Sequence, residues 1–209
     1  MTIIMQTWQI VLIVIGVIAV VICAAVCGWL LVTAQQRKKG VLALEKVSGK
    51  LSRFAGIRSF KVLSDVTLKT GKKDTVTIDR VLITFNHVIL FKVQSEYDTV
   101  YGDAKDPTWV SVRTDRKTND TISKTVFDNP FREAQRANDA VRRLLTQHKL
   151  GKVQTEFYVV FGDPKVNLSI GRGMPVLNLK ALGQLLSRSK YSEDGPVDVA
   201  EVAKLLSNG

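Results

Sequence analysis

Val76-Thr77-Ile78-Asp79-Arg80-Val81-Leu82-Ile83, followed closely by His87-Val88-Ile89-Leu90-Phe91-Lys92-Val93-Gln94, decides the fold. Val76–Phe85 and His87–Val93 read as two strands joined at Asn86, a tight hairpin position. Val88 to Phe91 is apolar without alternation, as in a strand covered on both faces. A lone carboxylate, Asp79, sits inside the first strand. An ionised group there needs a partner, because an uncompensated buried charge is costly.

Outward from this hairpin the pattern is mixed. Upstream, Leu44, Val47, Leu51 and Phe54 recur at helical spacing, which predicts a helix over 41–56 closed by Gly56. Phe60–Leu68 reads as a strand and Gly71-Lys72-Lys73-Asp74 as a turn. Downstream, Val100–Gly102 and Trp109–Val112 are short strands, and the polar, basic stretch from Arg113 to Thr125 reads as a loop. Asn129-Pro130 starts a helix, with Asn129 as N-cap. Ala134, Ala137, Val141, Leu144 and Leu145 form its buried face, and Arg132, Arg136 and Arg143 fall opposite. Glu156–Phe161 is another buried strand and Asn167–Ile170 a short one. Gly171-Arg172-Gly173 is a turn. Asn178 caps a helix from Leu179 to about Arg188, and Val197–Leu206 gives a last one. This order predicts an α/β domain with a mixed central β-sheet flanked by helices.

The remainder of the chain is different in kind. Of 209 residues, the first 36 contain no Asp, Glu, Lys, Arg or His, so the net charge of +11 belongs wholly to residues 37–209. Trp8 to Val32 is almost continuously apolar, and about 20 such residues cross roughly 30 Å of hydrocarbon. Trp8 and Trp29 stand near its two ends, where amphipathic rings settle at headgroup level. A signal peptide is the alternative; the missing basic n-region and the length of the run favour an uncleaved transmembrane α-helix. Arg37, Lys38, Lys39, Lys46, Lys50 and Arg53 follow it, against Glu45 alone. Retention of positive charge on the cytoplasmic side predicts a single-pass cell-membrane protein, N-terminus outside and soluble domain inside. Anionic headgroups are the expected neighbours of that cluster. Gly16, Ala19, Ala24, Ala25 and Gly28 suit the span to contacts with partner helices. Cys23 and Cys27, the sole cysteines, both lie in it. The expected organisation is an anchor over 1–36, a basic juxtamembrane segment and first helix over 37–56, an α/β domain over 57–190, and a C-terminal helix and tail over 191–209.

Composition narrows the chemistry. His87 and His148 cannot build a His-rich metal site, and with no cysteine after residue 36 the soluble domain lacks a thiol nucleophile or zinc ribbon. No Gly-x-x-x-x-Gly-Lys-Ser/Thr run occurs. The basic positions Arg113, Arg116, Lys117, Arg132, Arg136 and Arg143 are the phosphate-contacting set for a nucleic-acid partner, with a solvated outer face as the plain reading.

One constellation remains. Ile78-Asp79, then Val88-Ile89-Leu90-Phe91, then Val100-Tyr101-Gly102-Asp103 and Trp109, then Asn129-Pro130 with Gln135, then Tyr158-Val159-Val160-Phe161, resembles in order and spacing the nuclease-related domain (NERD) family. The resemblance runs over about 41–186 and implies a restriction-endonuclease-like fold. It also implies a divalent-metal site built from the Asp and from Glu-x-Lys on the next strand, with Glu45 a further relic position on the first helix. Here Glu-x-Lys becomes Lys92-Val93-Gln94. A hard cation wants anionic oxygen ligands, and Lys92 sets a positive charge where one belongs.

The expectation is therefore a membrane-anchored, catalytically inactive nuclease-like domain serving as a binding or scaffold module, with no metal ligands and no cofactor. Asp79 would pair with Lys92, with Arg80 or with a backbone amide. Two alternatives stand beside it. One is an active nuclease using Mg²⁺ or Mn²⁺ through a rearranged site that recruits Glu96. The other is a structural subunit of a membrane assembly, with protein partners on the span or the sheet domain.

Overall fold

The computed structural model describes residues 7–38, 41–69, 74–115, 118 and 120–208. It divides into two compact units, 1–39 and 40–209. The first is helix α1 (Thr7–Lys38), in which Ile15–Thr33 has a mean hydropathy of 2.8 and is long and apolar enough to cross a membrane.

The second unit is mixed α/β. Its elements run α2 (Val41–Ala55), β1 (Lys61–Lys69), β2 (Thr75–Ile83), β3 (His87–Gln94), β4 (Thr99–Gly102), β5 (Thr108–Thr114), β6 (Thr121–Asp128), α3 (Pro130–Gln147), β7 (Gln154–Phe161), β8 (Asn167–Ile170), β9 (Val176–Asn178), α4 (Leu179–Leu186) and α5 (Val199–Asn208). The strands form two mixed sheets instead of one central sheet. The first has the order β1-β2-β3-β7-β9, the second β6-β5-β4-β8.

Strand β3 explains the architecture. Val88 and Leu90 point into a core shared with Ala137, Val141 and Leu145 of α3 and with Val202 and Leu206 of α5. Ile89 and Phe91 point the other way, toward Val47 and Leu51 of α2 and Leu182 and Leu185 of α4. Both faces of the strand are covered, so every residue from Val88 to Phe91 is apolar. Strand β7 lies parallel to β3, from His87 opposite Gln154 to Gln94 opposite Phe161. The second sheet packs one face, through Val100 and Trp109, against Ala134 of α3 and Phe161 of β7.

One expectation fails outright. The end of the supposed loop between Arg113 and Thr125 is strand β6, which pairs antiparallel with β5 from Trp109 opposite Phe127 to Arg113 opposite Ser123. Its residues are exposed apart from half-buried Phe127, so it lacks the buried alternation by which a strand is recognised. The turn expected at 71–74 falls, save for Asp74, outside the described residues.

Candidate functional site

The site is an opening in the first sheet. Strands β2 and β3 pair from Ile83 opposite Val88 to Arg80 opposite Phe91, and there the ladder ends. Strand β3 continues to Gln94 with β7 as its partner. Asp79 is the first residue of β2 past the last pair, and its carboxylate stands in for the missing strand: Val93 N–H donates to Asp79 Oδ2 at 2.6 Å. The alternation of β1 and β2 also breaks here. Ile78 and Val81 face the same core, as do Val66 and Leu63, and Asp65 between the latter pair takes a left-handed φ of 52°.

Lys92 crosses this opening. Its Nζ lies 3.7 Å from Asp79 Oδ1 and 2.7 Å from Glu133 Oε1. The side chains of Lys92 and Asp79 are each 18% exposed, that of Glu133 44%. The expected approach of Lys92 to Asp79 is thus present, but Glu133 is the nearer partner. Burial pushes the Asp79 carboxyl above its usual range, and the Val93 hydrogen bond and Lys92 only partly offset it. The other two partners considered for Asp79 divide. The backbone amide is used. The Arg80 guanidinium instead donates to Ser48 Oγ at 2.6 Å, to Asp65 at 3.4 Å and to the Asp79 carbonyl rather than its carboxylate.

Glu133 reaches Lys92 because of how α3 begins. Asn129 Oδ1 accepts from Phe131 N–H, which caps the helix, while Asn129 Nδ2 donates to the carbonyls of Asp103, Ala104 and Asp106 in the β4–β5 connection. Pro130 fits the first helical position. The helix start is thereby tied to the second sheet, and Glu133 falls in the first turn, where negative charge is favoured. The motif spacing does not single it out. A local signal exists all the same: Glu133 stands four residues before buried Ala137, at the head of the helix face turned to the sheet.

The other positions separate. Glu45 is exposed on α2, and the helix meets β2 through Ser48 one turn later. Gln94 is half-buried, and its backbone carbonyl accepts from Gly162 N–H. Glu96 lies beyond the end of β3, with Oε2 buried and without a hydrogen-bond partner, and burial raises its carboxyl. Gln135 is exposed. No group of three His, Cys, Asp or Glu side chains converges among the described residues.

Of the basic set, Arg132 donates to the Lys105 carbonyl at 2.7 Å and Arg136 pairs with Asp74 at 2.8 Å. Arg113 and Arg143 are exposed, and Arg143 lines a shallow cleft on α3 with Asp139, Arg142, Thr146 and Gln147. Arg116 and Lys117 lie outside the described residues.

A second polar cluster occupies the opposite end of β3 and β7. Glu156 accepts from Tyr191 at 2.5 Å, Lys190 at 2.5 Å and Tyr158 at 2.8 Å, and buried His87 Nε2 lies 3.6 Å from its Oε1. Burial alone would raise the Glu156 carboxyl, but its three donors outweigh it and hold the group below its usual range. Burial lowers His87, against the opposing pull of Glu156.

Compared with known proteins, residues 39–162 match the family described as nuclease-related domain, NERD. The match takes in every element from α2 to β7, and with them Asp79, Lys92 and Glu133. No curated protein matches the chain, and no solved structure does.

Proposed function

The chain belongs to the nuclease-related domain family, and from that premise we propose that it is a membrane-anchored member whose hydrolytic position is closed by its own lysine, acting on the cytoplasmic side as a nucleic-acid-binding module. The supporting observation is the ammonium of Lys92 set between Asp79 and Glu133. A divalent cation would need those same carboxylate oxygens, and metal-assisted hydrolysis needs the cation to polarise phosphate and acidify water. Lys92 contributes one positive charge, already engaged by those two groups, and an ammonium has no open coordination position in which to bind and acidify a water. The residues present therefore do not fit a catalytic metal, and no hydrolytic step is assigned to them.

The anchor is α1, and the basic cluster after it sets the orientation. Protease added to intact cells should spare residues 41–209. Phosphate contact falls to Arg113, Arg142 and Arg143, whose side chains have no ion-pair partner among the described residues, ahead of Arg132 and Arg136, which are already engaged.

The test is a Mg²⁺ and Mn²⁺ titration of the full chain with single- and double-stranded DNA and RNA. Nucleic acid should bind and stay intact at every metal concentration. The double variant Lys92→Glu with Gln94→Lys should acquire Mn²⁺ binding by calorimetry. Metal-dependent cleavage by the natural sequence, abolished in Asp79→Ala, would establish the competing reading. That reading is favoured by one observation, the unpartnered buried carboxylate oxygen of Glu96.

A further inference from the structure

We propose that β6 is a self-complementary edge through which two copies of this chain join into one continuous sheet. Strand β6 ends the second sheet, with β5 on one side and, among the described residues, no strand on the other. An open edge presents amide and carbonyl groups that another strand can satisfy. Lys124, Val126 and Asp128 alternate along one face of it and are exposed, as is Ile122 at the register shift opposite Arg113 and Thr114. Ile122 and Val126 are 58% and 57% exposed, among the few large apolar side chains so open in residues 40–209. Val126 continues an apolar row across the sheet, since it pairs with Val110, which pairs with half-exposed Tyr101.

Charge selects the occupant and the register. Lys124 and Asp128 have no ion-pair partner among the described residues. In an antiparallel pair of identical strands with the two-fold axis at Val126, each Lys124 faces Asp128 of the other copy and Val126 faces Val126. Opposite charges directly across a strand pair are favourable. A two-fold at Lys124 would set lysine against lysine, and one at Thr125 would set Lys124 against Val126 and Ile122 against Asp128. The Val126 register alone among these satisfies both charges, and it ends where Asn129 turns the chain into α3. The paired surface is isologous, as two-fold association requires.

The experiment uses the full chain in membranes, with Cys23→Ala and Cys27→Ala removing the native thiols. Val126→Cys in that background should cross-link into a dimer under mild oxidation, because residues directly opposite have Cβ atoms about 4.5–5.5 Å apart. Ile122→Cys should not. Adding Lys124→Asp alone, or Asp128→Lys alone, should abolish the cross-link. Mixing those two chains should restore it, since each then presents the charges the other needs. Circular dichroism of each variant checks that the fold persists. Equal cross-linking at positions 122 and 126, failure of the mixed chains to recover, or a dimer by mass in which the Val126→Cys thiol stays reduced would each overturn the proposal. Cross-linking of Val126→Cys to a different protein would reassign the edge to that partner and overturn it too.

Discussion

Glu133 holds Lys92 an ångström closer than Asp79 does, 2.7 Å against 3.7 Å. The pair joins the first turn of α3 to the third strand of the sheet, so the cation fixes tertiary structure as well as filling a charge gap. Replacing Lys92 by methionine keeps most of the apolar stem and leaves two carboxylates facing each other. Exposed ion pairs contribute about 0–1 kcal/mol, and breaking a fully buried one costs about 3–5 kcal/mol. At 18% exposure Lys92→Met should cost about 2 kcal/mol in denaturant unfolding. The loss should shrink in a Glu133→Gln background, which removes one of the stranded charges. The Asp79 carboxyl, already raised by burial, should rise further in Lys92→Met, as read by NMR titration.

Nucleic-acid affinity should depend on the free arginines. Arg142→Ala with Arg143→Ala should weaken binding for all sequences alike and make the dependence of log affinity on log salt shallower, by about 0.9 for each duplex-DNA phosphate no longer neutralised. Arg132→Ala with Arg136→Ala should change affinity less, since both guanidinium groups already serve Lys105 and Asp74. The opposite ranking would move the binding surface to the start of α3.

Acid stability should carry the mark of His87. Burial lowers its pKa from 6.5, so the unfolded chain binds a proton that the fold resists. Stability therefore falls as pH drops below about 6.5. Glu156, held below its ordinary 4.5, adds a second loss at lower pH, as its carboxylate is protonated and gives up Lys190. Asp79 and Glu96 act with opposite sign, since their raised carboxyls are relieved by protonation. Comparing His87→Gln with the natural sequence isolates the first effect. The difference in unfolding free energy between them should change between pH 7 and pH 5, with the variant less sensitive to acid.

Gly162 follows the last residue of β7, where Ala43 of α2 passes. A Cβ there would collide with Ala43 Cβ and sit 2.5 Å from its Cα. The obstruction includes backbone, so one of the two elements must shift. Gly162→Ala should cost about 1–3 kcal/mol, the range for forced overpacking, and thermal unfolding should show a matching drop in Tm. An unchanged Tm would mean that α2 yields freely.

Most of the first sheet could be read from residues. The apolar run of β3, the Asn129-Pro130 start of α3 and the Asn178 cap of α4 are local signals, and each stands where expected. The second sheet was half legible. Trp109 and Val100 marked two strands, but β6 carries Ser, Lys and Thr along an exposed edge, where burial imposes no pattern. Counting along one hairpin is enough to bring Asp79 and Lys92 together. Glu133 arrives from a helix far along the chain, and what brings it there is the grip of Asn129 on the β4–β5 connection. The Arg136 pairing with Asp74 is of the same kind.

The parallel pairing of β3 with β7 also sets a timetable. Strand β3 is complete at Gln94 with β2 already beside it, but its parallel neighbour does not begin until Gln154. Everything from β4 to α3 must leave the ribosome first. Joining strands so distant along the chain carries a loop-closure cost and slows folding. During that interval the β3 backbone lacks β7 beside it, and Val88, Ile89, Leu90 and Phe91 lack the cover of α4 and α5 on their two faces. A ribosome paused between Gln94 and Gln154 should hold a nascent chain that is acutely sensitive to protease and prone to aggregate. Once β7, α4 and α5 have all emerged, that sensitivity should vanish.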